Sequence, residues 1–194
     1  MPAVAVMISG SGTLLQSLID AERDYDICLV VADRPADGLA RAQRAGIPTA
    51  VVALRDYPDR DAWSNALADV VEQHHPDWVV SAGFMRILGA GFLDRFPQRV
   101  INSHPALLPA FPGAHAVPDA LAYGVKVTGC TIHLVDAGID TGPIIAQEAV
   151  PVAPDDDDES LHERIKEVEW RLLPQVVQHL VTHGGTVHGR KVDL

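Results

Sequence analysis

Short apolar runs that alternate with amphipathic segments restrict the fold of this chain more than any other feature of its sequence. The apolar runs occupy residues 4–8, 27–32, 49–54 and 78–81, and helical periodicity marks segments between them. Strands that are apolar along their whole length usually lie in parallel sheets, because helices cover both faces of such sheets. The pattern therefore predicts an α/β fold with a mostly parallel sheet and helices on both faces.

A change of pattern near residue 100 predicts a second half of different architecture. An apolar strand at residues 100–102 leads into the stretch 105–118, where four prolines exclude a long helix. Runs at residues 125–135 and 143–152 predict two strands that pair antiparallel. No low-complexity linker separates the two halves, so we expect a single domain over the whole chain.

The C-terminal region predicts one long amphipathic helix. Its apolar periodicity covers residues 161–179, and Ser160 with Glu163 fits a capping box at its start. The acidic run 155–159 suits a helix N-terminus, where the helix dipole stabilises negative charge. We expect residues 184–194 to form a short strand or a frayed tail.

Charge and composition disfavour several classes of function. A formal net charge of −11 argues against non-specific nucleic-acid binding, which depends on basic side chains. No apolar run reaches the length of about 18 residues that a membrane span requires, and the N-terminus lacks the basic segment of a secretory signal. Cys28 and Cys130 match no metal or redox spacing, so we expect a cytoplasmic protein with both cysteines reduced.

A glycine-rich turn between the first predicted strand and helix is a candidate phosphate site. Residues 9–13 read Ser-Gly-Ser-Gly-Thr, and backbone N–H groups at a helix N-terminus bind anions. Leu15 stands where a dinucleotide-binding fingerprint needs a third glycine. Asp33 nevertheless ends the second strand, which keeps a nicotinamide-dinucleotide site open as an alternative. The other alternative is a tight turn without a ligand.

The segment after the fourth predicted strand, residues 81–88, has the composition of a ligand-binding loop. It follows the carboxyl end of a strand, where open α/β sheets bind ligands. Met85, Ile87 and Leu88 are apolar where surface loops are usually polar, and such a lining suits a flat heterocyclic ligand. The alternative is a helix start that packs into the core.

Asn102 and His104 are candidates for acyl-transfer chemistry. They are two residues apart, so on an extended segment their side chains point to the same side. Pro105 keeps His104 out of helical geometry. An amide donor can stabilise an oxyanion while an imidazole manages a proton. The alternative for His104 is a structural role, which is more common for an isolated histidine. His115, in the same proline-rich stretch, is a further candidate.

The loop between the two C-terminal strands carries Asp136 and Asp140 on either side of Gly138. Asp140 could orient a histidine or relay a proton through water. Aspartates are also common in plain turns, which remains the alternative for both residues. The chain has no Gly-x-Ser-x-Gly nucleophile elbow, so a serine hydrolase is disfavoured.

Four motifs, in their order along the chain, resemble those of one enzyme family. They are Ile-Ser-Gly-Ser-Gly at residues 8–12, Ala-Gly-Phe-Met-Arg-Ile-Leu at 82–88, Asn-Ser-His-Pro-Ala-Leu-Leu-Pro at 102–109 and Asp-Thr-Gly-Pro at 140–143. The chain resembles the phosphoribosylglycinamide formyltransferase (glycinamide ribonucleotide transformylase) family over nearly its whole length. This resemblance implies the formyltransferase fold, with a Rossmann-like, nucleotide-binding half and a catalytic, folate-binding half that carries an antiparallel extension. The halves would cover about 1–100 and 101–194.

The resemblance also implies a reaction and its substrates. The family transfers a formyl group from 10-formyltetrahydrofolate, a co-substrate, to the primary amine of glycinamide ribonucleotide in de novo purine biosynthesis. It needs no metal and no ATP, and we expect no nucleic-acid or membrane partner; a homodimer is left open. The alternatives are another formyl-folate enzyme, either a hydrolase or a different amine formyltransferase, and outside the family a dinucleotide-dependent oxidoreductase.

Matching positions carry the implied residue roles. Catalysis would fall to Asn102, His104 and Asp140; ribonucleotide binding to Gly10, Ser11, Gly12, Thr13, Leu14 and Glu169; and folate binding to Arg60, Met85, Arg86, Ile87, Leu88, Asn102, Asp136, Ala137, Gly138 and Asp140. Two positions depart from the family pattern. Many members have Asn in place of Leu14 and Lys in place of Ala110, so phosphate binding is expected to depend more on backbone N–H groups.

Overall fold

Parallel strands with helices between them build the first part of the chain. The computed structural model describes all 194 residues, and the chain forms two compact units, Met1–Asn102 and Ser103–Leu194. The strands are β1 (Ala3–Ile8), β2 (Asp26–Ala32), β3 (Thr49–Val51), β4 (Trp78–Ser81) and β5 (Val100–His104), and their order in the sheet is β3-β2-β1-β4-β5. All of these pairings are parallel. Residues Val4 to Ile8 of β1 have no exposed surface, as expected for a strand covered on both faces.

The helices of the first unit are α1 (Thr13–Asp20), α2 (Gly38–Arg44), α3 (Arg60–Glu72) and the short α4 (Ala90–Leu93). Asp59 caps α3 by accepting a hydrogen bond from Ala62 N at 2.8 Å. The strand predicted at residues 49–54 is shorter than expected, because a 3-10 helix follows at Leu54–Asp56. The strand ends at Val51, and the carbonyl of the following Val52 accepts a hydrogen bond from the buried Trp63 indole.

The second unit contains an antiparallel pair and a long helix. Its elements are α5 (Ala116–Tyr123), β6 (Val127–Leu134), β7 (Ile144–Pro151), α6 (Asp158–His183), β8 (Thr186–His188) and β9 (Lys191–Asp193). β6 and β7 pair antiparallel, which confirms the prediction. The C-terminal residues are not frayed, because β8 and β9 form a hairpin and β9 pairs with β7. A mixed α/β fold with mostly parallel strands and antiparallel C-terminal strands is therefore confirmed.

Helix α6 begins earlier than its apolar periodicity predicts. Asp157, not Ser160, is the N-cap, and its carboxylate accepts a hydrogen bond from Ser160 N at 2.9 Å. Ser160 Oγ in turn accepts a hydrogen bond from Asp157 N at 3.0 Å, which completes a capping box. The predicted box of Ser160 and Glu163 is thus wrong by one helical turn, since the acidic residues before Ser160 belong to the helix and its cap.

The proline-rich stretch after β5 is held by side chains of the second unit. Thr131 Oγ1, on β6, donates to Ala106 O at 2.6 Å and accepts from Leu108 N at 3.0 Å. Gln147 Nε2, on β7, donates to Leu108 O and to Thr131 Oγ1. Helix α5 begins inside the predicted loop, and Pro118 lies in its first turn, where a missing N–H costs nothing. None of the helices in the chain has the length and apolarity to span a bilayer.

Candidate active site

Strand β5 ends with three consecutive polar residues, and their side chains alternate between the two faces of the strand. Neighbouring side chains on a strand alternate, so Asn102 and His104 share one face and Ser103 occupies the other. His104 is buried, with 3% of its surface exposed, while Asn102 is half-buried. The sequence-based expectation that Asn102 and His104 lie on an extended segment is confirmed.

The hydrogen bonds of His104 define its tautomer. Its Nε2 lies 2.8 Å from the carbonyl oxygen of Phe111, and because a carbonyl only accepts, Nε2 carries the proton. Its Nδ1 lies 3.3 Å from Asp140 Oδ2. A neutral His104 therefore turns an unprotonated nitrogen toward a carboxylate, and protonation of that nitrogen would form an ion pair.

Asp140 is the centre of a small polar cluster. Its Oδ2 accepts a hydrogen bond from Gly113 N at 2.7 Å, and its Oδ1 lies 3.5 Å from His133 Nε2. The His133 hydrogen bond lowers the pKa of Asp140 to about 2, against the opposing effect of burial and with help from Gly113 N and His104. Asp140 is therefore ionised at neutral pH. Its backbone φ of 53° is rare for a residue with a side chain, as often found at functional sites.

Burial decides the protonation of His104. Removal of the imidazole from water lowers its pKa, and this effect outweighs the Phe111 carbonyl and the Asp140 charge, which both raise the pKa. The negative charge of Asp140 thus raises the pKa of His104, but its effect is smaller than that of burial. At neutral pH the cluster consists of a neutral imidazole beside a carboxylate.

His133 is a member of this cluster that the sequence analysis missed. It is 2% exposed, and its Nδ1 lies 2.9 Å from Leu134 O. Thr131 and His133 are two residues apart on β6 and so share one face of the strand. The signal available in the sequence was a pair of polar residues at alternate positions of a largely apolar predicted strand, just before the loop that carries Asp140.

The loop that carries Asp140 is tied to the ends of β6 and β7. Asp136 Oδ1 accepts hydrogen bonds from Gly138 N at 3.0 Å and from Thr141 Oγ1 at 2.6 Å. A Cβ at Gly142 would lie 1.7 Å from Leu134 O, so only glycine allows the chain to close here. Asp136, Ala137 and Gly138 themselves are exposed at the loop surface. His115 is also exposed, directly before α5, and makes no hydrogen bond to the His104–Asp140 cluster.

The glycine-rich turn forms the N-terminus of α1. Gly12 is the N-cap, with a φ of 69°, and a Cβ there would lie 2.7 Å from Gly38 Cα. The first intrahelical hydrogen bond runs from Gln16 N to Gly12 O, so the N–H groups before Gln16 precede the helical ladder. Gly10 and Ser11 are exposed and Thr13 is half-buried, whereas the Leu14 side chain is buried. The Leu14 side chain therefore packs into the protein and offers no polar group to a ligand at this turn.

Residues 82–88 form an irregular loop rather than the start of a helix, since α4 begins only at Ala90. Met85 and Ile87 are exposed by 68% and 46%, and Leu88 is buried. The loop is joined to the glycine-rich turn by the hydrogen bonds from Ser9 N to Gly83 O and from Met85 N to Ser9 Oγ. Arg60 is exposed at the first residue of α3.

Glu169 projects from α6 into the interior of the second unit. It is 8% exposed, and its Oε1 accepts a hydrogen bond from Ser103 Oγ at 2.6 Å. Burial raises the pKa of this carboxyl above its usual value. Ser103 Oγ also lies 3.6 Å from Cys130 Sγ, and burial raises the pKa of that thiol to about 12. Cys130 is therefore a protonated, buried thiol rather than a nucleophile.

Comparison with known proteins gives a consistent family. Residues 3–177 match the formyl transferase family model. The phosphoribosylglycinamide formyltransferase of Mycobacterium tuberculosis is 57% identical over 98% of this chain and 90% of its own length. The human trifunctional purine biosynthetic protein adenosine-3 is 44% identical over 93% of this chain, which corresponds to 18% of that longer protein. The crystal structure of glycinamide ribonucleotide transformylase 1 from Symbiobacterium toebii superposes with a TM-score of 0.98 at 42% identity, covering 100% of this chain and 94% of that one.

Proposed function

The chain belongs to the formyl transferase family, and we propose that it transfers a formyl group from 10-formyltetrahydrofolate to the primary amine of glycinamide ribonucleotide. The products are N-formylglycinamide ribonucleotide and tetrahydrofolate, and the reaction belongs to de novo purine biosynthesis. The observation that carries the catalytic part of the proposal is the buried His104 with Asp140 Oδ2 at 3.3 Å, on a strand that also carries Asn102.

Attack of the amine on the formyl carbon forms a tetrahedral intermediate with an oxyanion. The Asn102 side-chain amide is a neutral donor on the same face of β5 as His104, and it stabilises this developing charge. A donor of this kind typically contributes about 3–4 kcal/mol to the transition state. Collapse of the intermediate breaks the bond to the folate nitrogen, which leaves as tetrahydrofolate after it gains a proton.

The proton moves from the attacking nitrogen to the leaving nitrogen through the His104–Asp140 pair and water. His104 Nδ1 is the unprotonated nitrogen of the neutral imidazole, and it is free to accept a proton. Once protonated, the imidazolium is stabilised by the ionised Asp140 beside it, and its positive charge favours the developing oxyanion. Transfer of this proton to the leaving folate nitrogen restores the neutral imidazole. Because the amine attacks the formyl carbon directly, no covalent enzyme intermediate is formed.

The remaining residues bind the two substrates. The ribonucleotide phosphate is held by backbone N–H groups at residues 10–14, because the buried Leu14 side chain offers no polar group. Glu169 holds the amino or ribose end of the ribonucleotide. The folate is held by Arg60, by the loop of residues 85–88 and by residues 136–138 with Asp140.

We expect no metal, no ATP and a cytoplasmic location, and a homodimer stays open. His179 and His183 lie one turn apart on α6, with ring centroids separated by 4.7 Å. No third His, Cys, Asp or Glu completes a metal-binding arrangement around them or elsewhere. The independence from metal remains a prediction that chelation tests.

The proposal is tested by an assay with purified protein, both substrates, a chelator and no ATP. We expect stoichiometric formation of tetrahydrofolate and of the formylated ribonucleotide, detected by mass spectrometry. Omission of the ribonucleotide should stop tetrahydrofolate formation. Release of formate without an amine acceptor would instead identify a hydrolase.

A further inference from the structure

Asp33 is a buried carboxylate with no part in the chemistry described above. It follows β2 directly, and its side chain has no exposed surface. Arg86 Nε donates to Asp33 Oδ2 at 2.7 Å, and Arg34 Nη2 donates to the same oxygen at 3.1 Å. A buried charge is costly unless it is paired and hydrogen-bonded. The Asp33 carboxylate therefore favours the conformation in which Arg86 and Arg34 remain hydrogen-bonded to it.

Ser9, the first residue of the glycine-rich turn, also forms a hydrogen bond with the Asp33 carboxylate. The Ser9 Oγ accepts a hydrogen bond from Met85 N at 2.8 Å, and its hydroxyl group in turn donates a hydrogen bond to the Asp33 carboxylate. Burial alone would raise the pKa of Asp33, but the hydrogen bonds from Ser9, Arg34 and Arg86 together hold it below its usual value. The carboxylate is thus charged and saturated with donors.

Two of these connections end on consecutive residues of the same loop. Met85 is tied through its backbone N–H, by way of Ser9, and Arg86 is tied through its guanidinium. The adjacent side chains of Met85 and Ile87 stay exposed, although both are apolar. The buried network therefore fixes the backbone of a loop whose apolar side chains remain available to a ligand.

We propose that Asp33 is a positioning residue for the folate co-substrate, because it fixes residues 82–88 through Ser9 and Arg86 in the conformation that receives folate. This inference rests on the proposed function, which assigns Met85 to Leu88 to folate binding. Because the carboxylate already orders the loop in the free protein, the free energy of folate binding is not reduced by the entropic cost of ordering that loop. Asp33 does not touch the reacting atoms, and its loss should weaken folate binding more than it slows the chemical step.

Three variants separate loop positioning from a general loss of charge or stability. Asp33→Asn removes the charge with little change in volume, and Ser9→Ala removes the connection to Met85 N. Arg34→Gln is the matched control, because it takes away a partner of Asp33 that does not belong to the loop. Removal of a hydrogen bond to a charged group typically weakens binding by about tenfold or more.

The measurements are the KM values for both substrates, kcat, and calorimetric titration with tetrahydrofolate. We expect Asp33→Asn to raise the KM for 10-formyltetrahydrofolate and the Kd for tetrahydrofolate about tenfold, with the ribonucleotide KM changed by less than about twofold. Ser9→Ala should act in the same direction, and Arg34→Gln should stay close to wild type. Should Asp33→Asn fail to fold, Ser9→Ala against Arg34→Gln still decides the question.

Several results would overturn the inference. These are an unchanged tetrahydrofolate Kd in Asp33→Asn or Ser9→Ala, an equal rise of both KM values, or an equal effect of Arg34→Gln. Failure of the proposed function is a separate result. In that case the wild-type protein forms no formylated ribonucleotide, and absence of tetrahydrofolate binding to the wild type would remove the basis of the positioning role as well.

Discussion

The charge of Asp140 is stabilised from several directions at once. His133 and His104 face its two oxygens, and Gly113 N donates to one of them. The carboxylate form is favoured so strongly that its pKa falls to about 2. At the scale of single residues, Asp140 is therefore a fixed negative charge next to the buried imidazole of His104.

Replacement of Asp140 by Asn should abolish turnover but leave tetrahydrofolate binding nearly intact, because the amide still offers polar atoms to the folate that Asp140 is proposed to contact. The amide keeps the size of the side chain but cannot stabilise a protonated His104, so we expect kcat to fall by about 10²–10⁴-fold. Steady-state kinetics and calorimetric titration measure the two effects separately. Asp119→Asn, an exposed aspartate of the same unit, is the control and should behave as wild type. Turnover of Asp140→Asn equal to wild type would remove Asp140 from the mechanism.

The pH dependence of kcat should show one acidic limb, with its midpoint below the usual histidine value of 6.5. In the proposed mechanism the neutral form of His104 accepts the proton, and burial lowers the pKa of His104, so we expect activity to rise as the pH increases through that lowered value. Asp140, with a pKa of about 2, stays ionised over this range and adds no second limb above about pH 4. A rate profile with its midpoint above 6.5 would contradict this assignment.

At the scale of elements, β6 organises the segment that follows β5. The buried Thr131 hydroxyl holds Ala106 and Leu108, and two residues further along the strand His133 faces Asp140. One face of a single strand thus supports both the proline-rich stretch and the Asp140 carboxylate. Because β7 adds Gln147 to the same network, the antiparallel pair acts as a support for the site.

Removal of the Thr131 hydroxyl should destabilise the fold. Thr131→Val keeps the shape but leaves Leu108 N without its acceptor, so we expect the free energy of unfolding to fall by about 1–3 kcal/mol. Thr128 on the same strand is a matched control, because its buried hydroxyl has no hydrogen-bond partner. Thr128→Val should be neutral or stabilising in urea unfolding. Equal losses in both variants would show that the Thr131 hydrogen bonds contribute nothing.

At the scale of the whole molecule, ligand-linked stability tests the substrate assignment without catalysis. A ligand at a hundred times its Kd stabilises the folded state by about 2.7 kcal/mol, which for a chain of this length raises Tm by about 5–10 °C. We expect this shift with glycinamide ribonucleotide and with tetrahydrofolate, measured by scanning calorimetry, and no shift with NAD. Stabilisation by NAD alone would favour the dinucleotide alternative.

Much of the fold follows from local patterns. Continuous apolar runs identify β1, β2 and β4 because strands buried on both faces require apolar residues at every position. The motifs that contain Asn102 and Asp140 could also be recognised from the sequence, because the residues of each motif are contiguous along the chain. The start of α6 was misplaced, because the competition between Asp157 and Ser160 for the N-cap depends on hydrogen bonds rather than on apolar periodicity.

What the sequence determined by itself was the strand and helix pattern, the family and the pair of His104 and Asp140. Tertiary structure alone decided the protonation state of His104, because burial depends on what packs around a side chain and not on its neighbours along the chain. It also brought Asp33 to Arg86, which lies 53 residues away in sequence, and turned the His133 side chain toward Asp140. Electrostatic interactions depend on distance in space, and folding alone sets that distance.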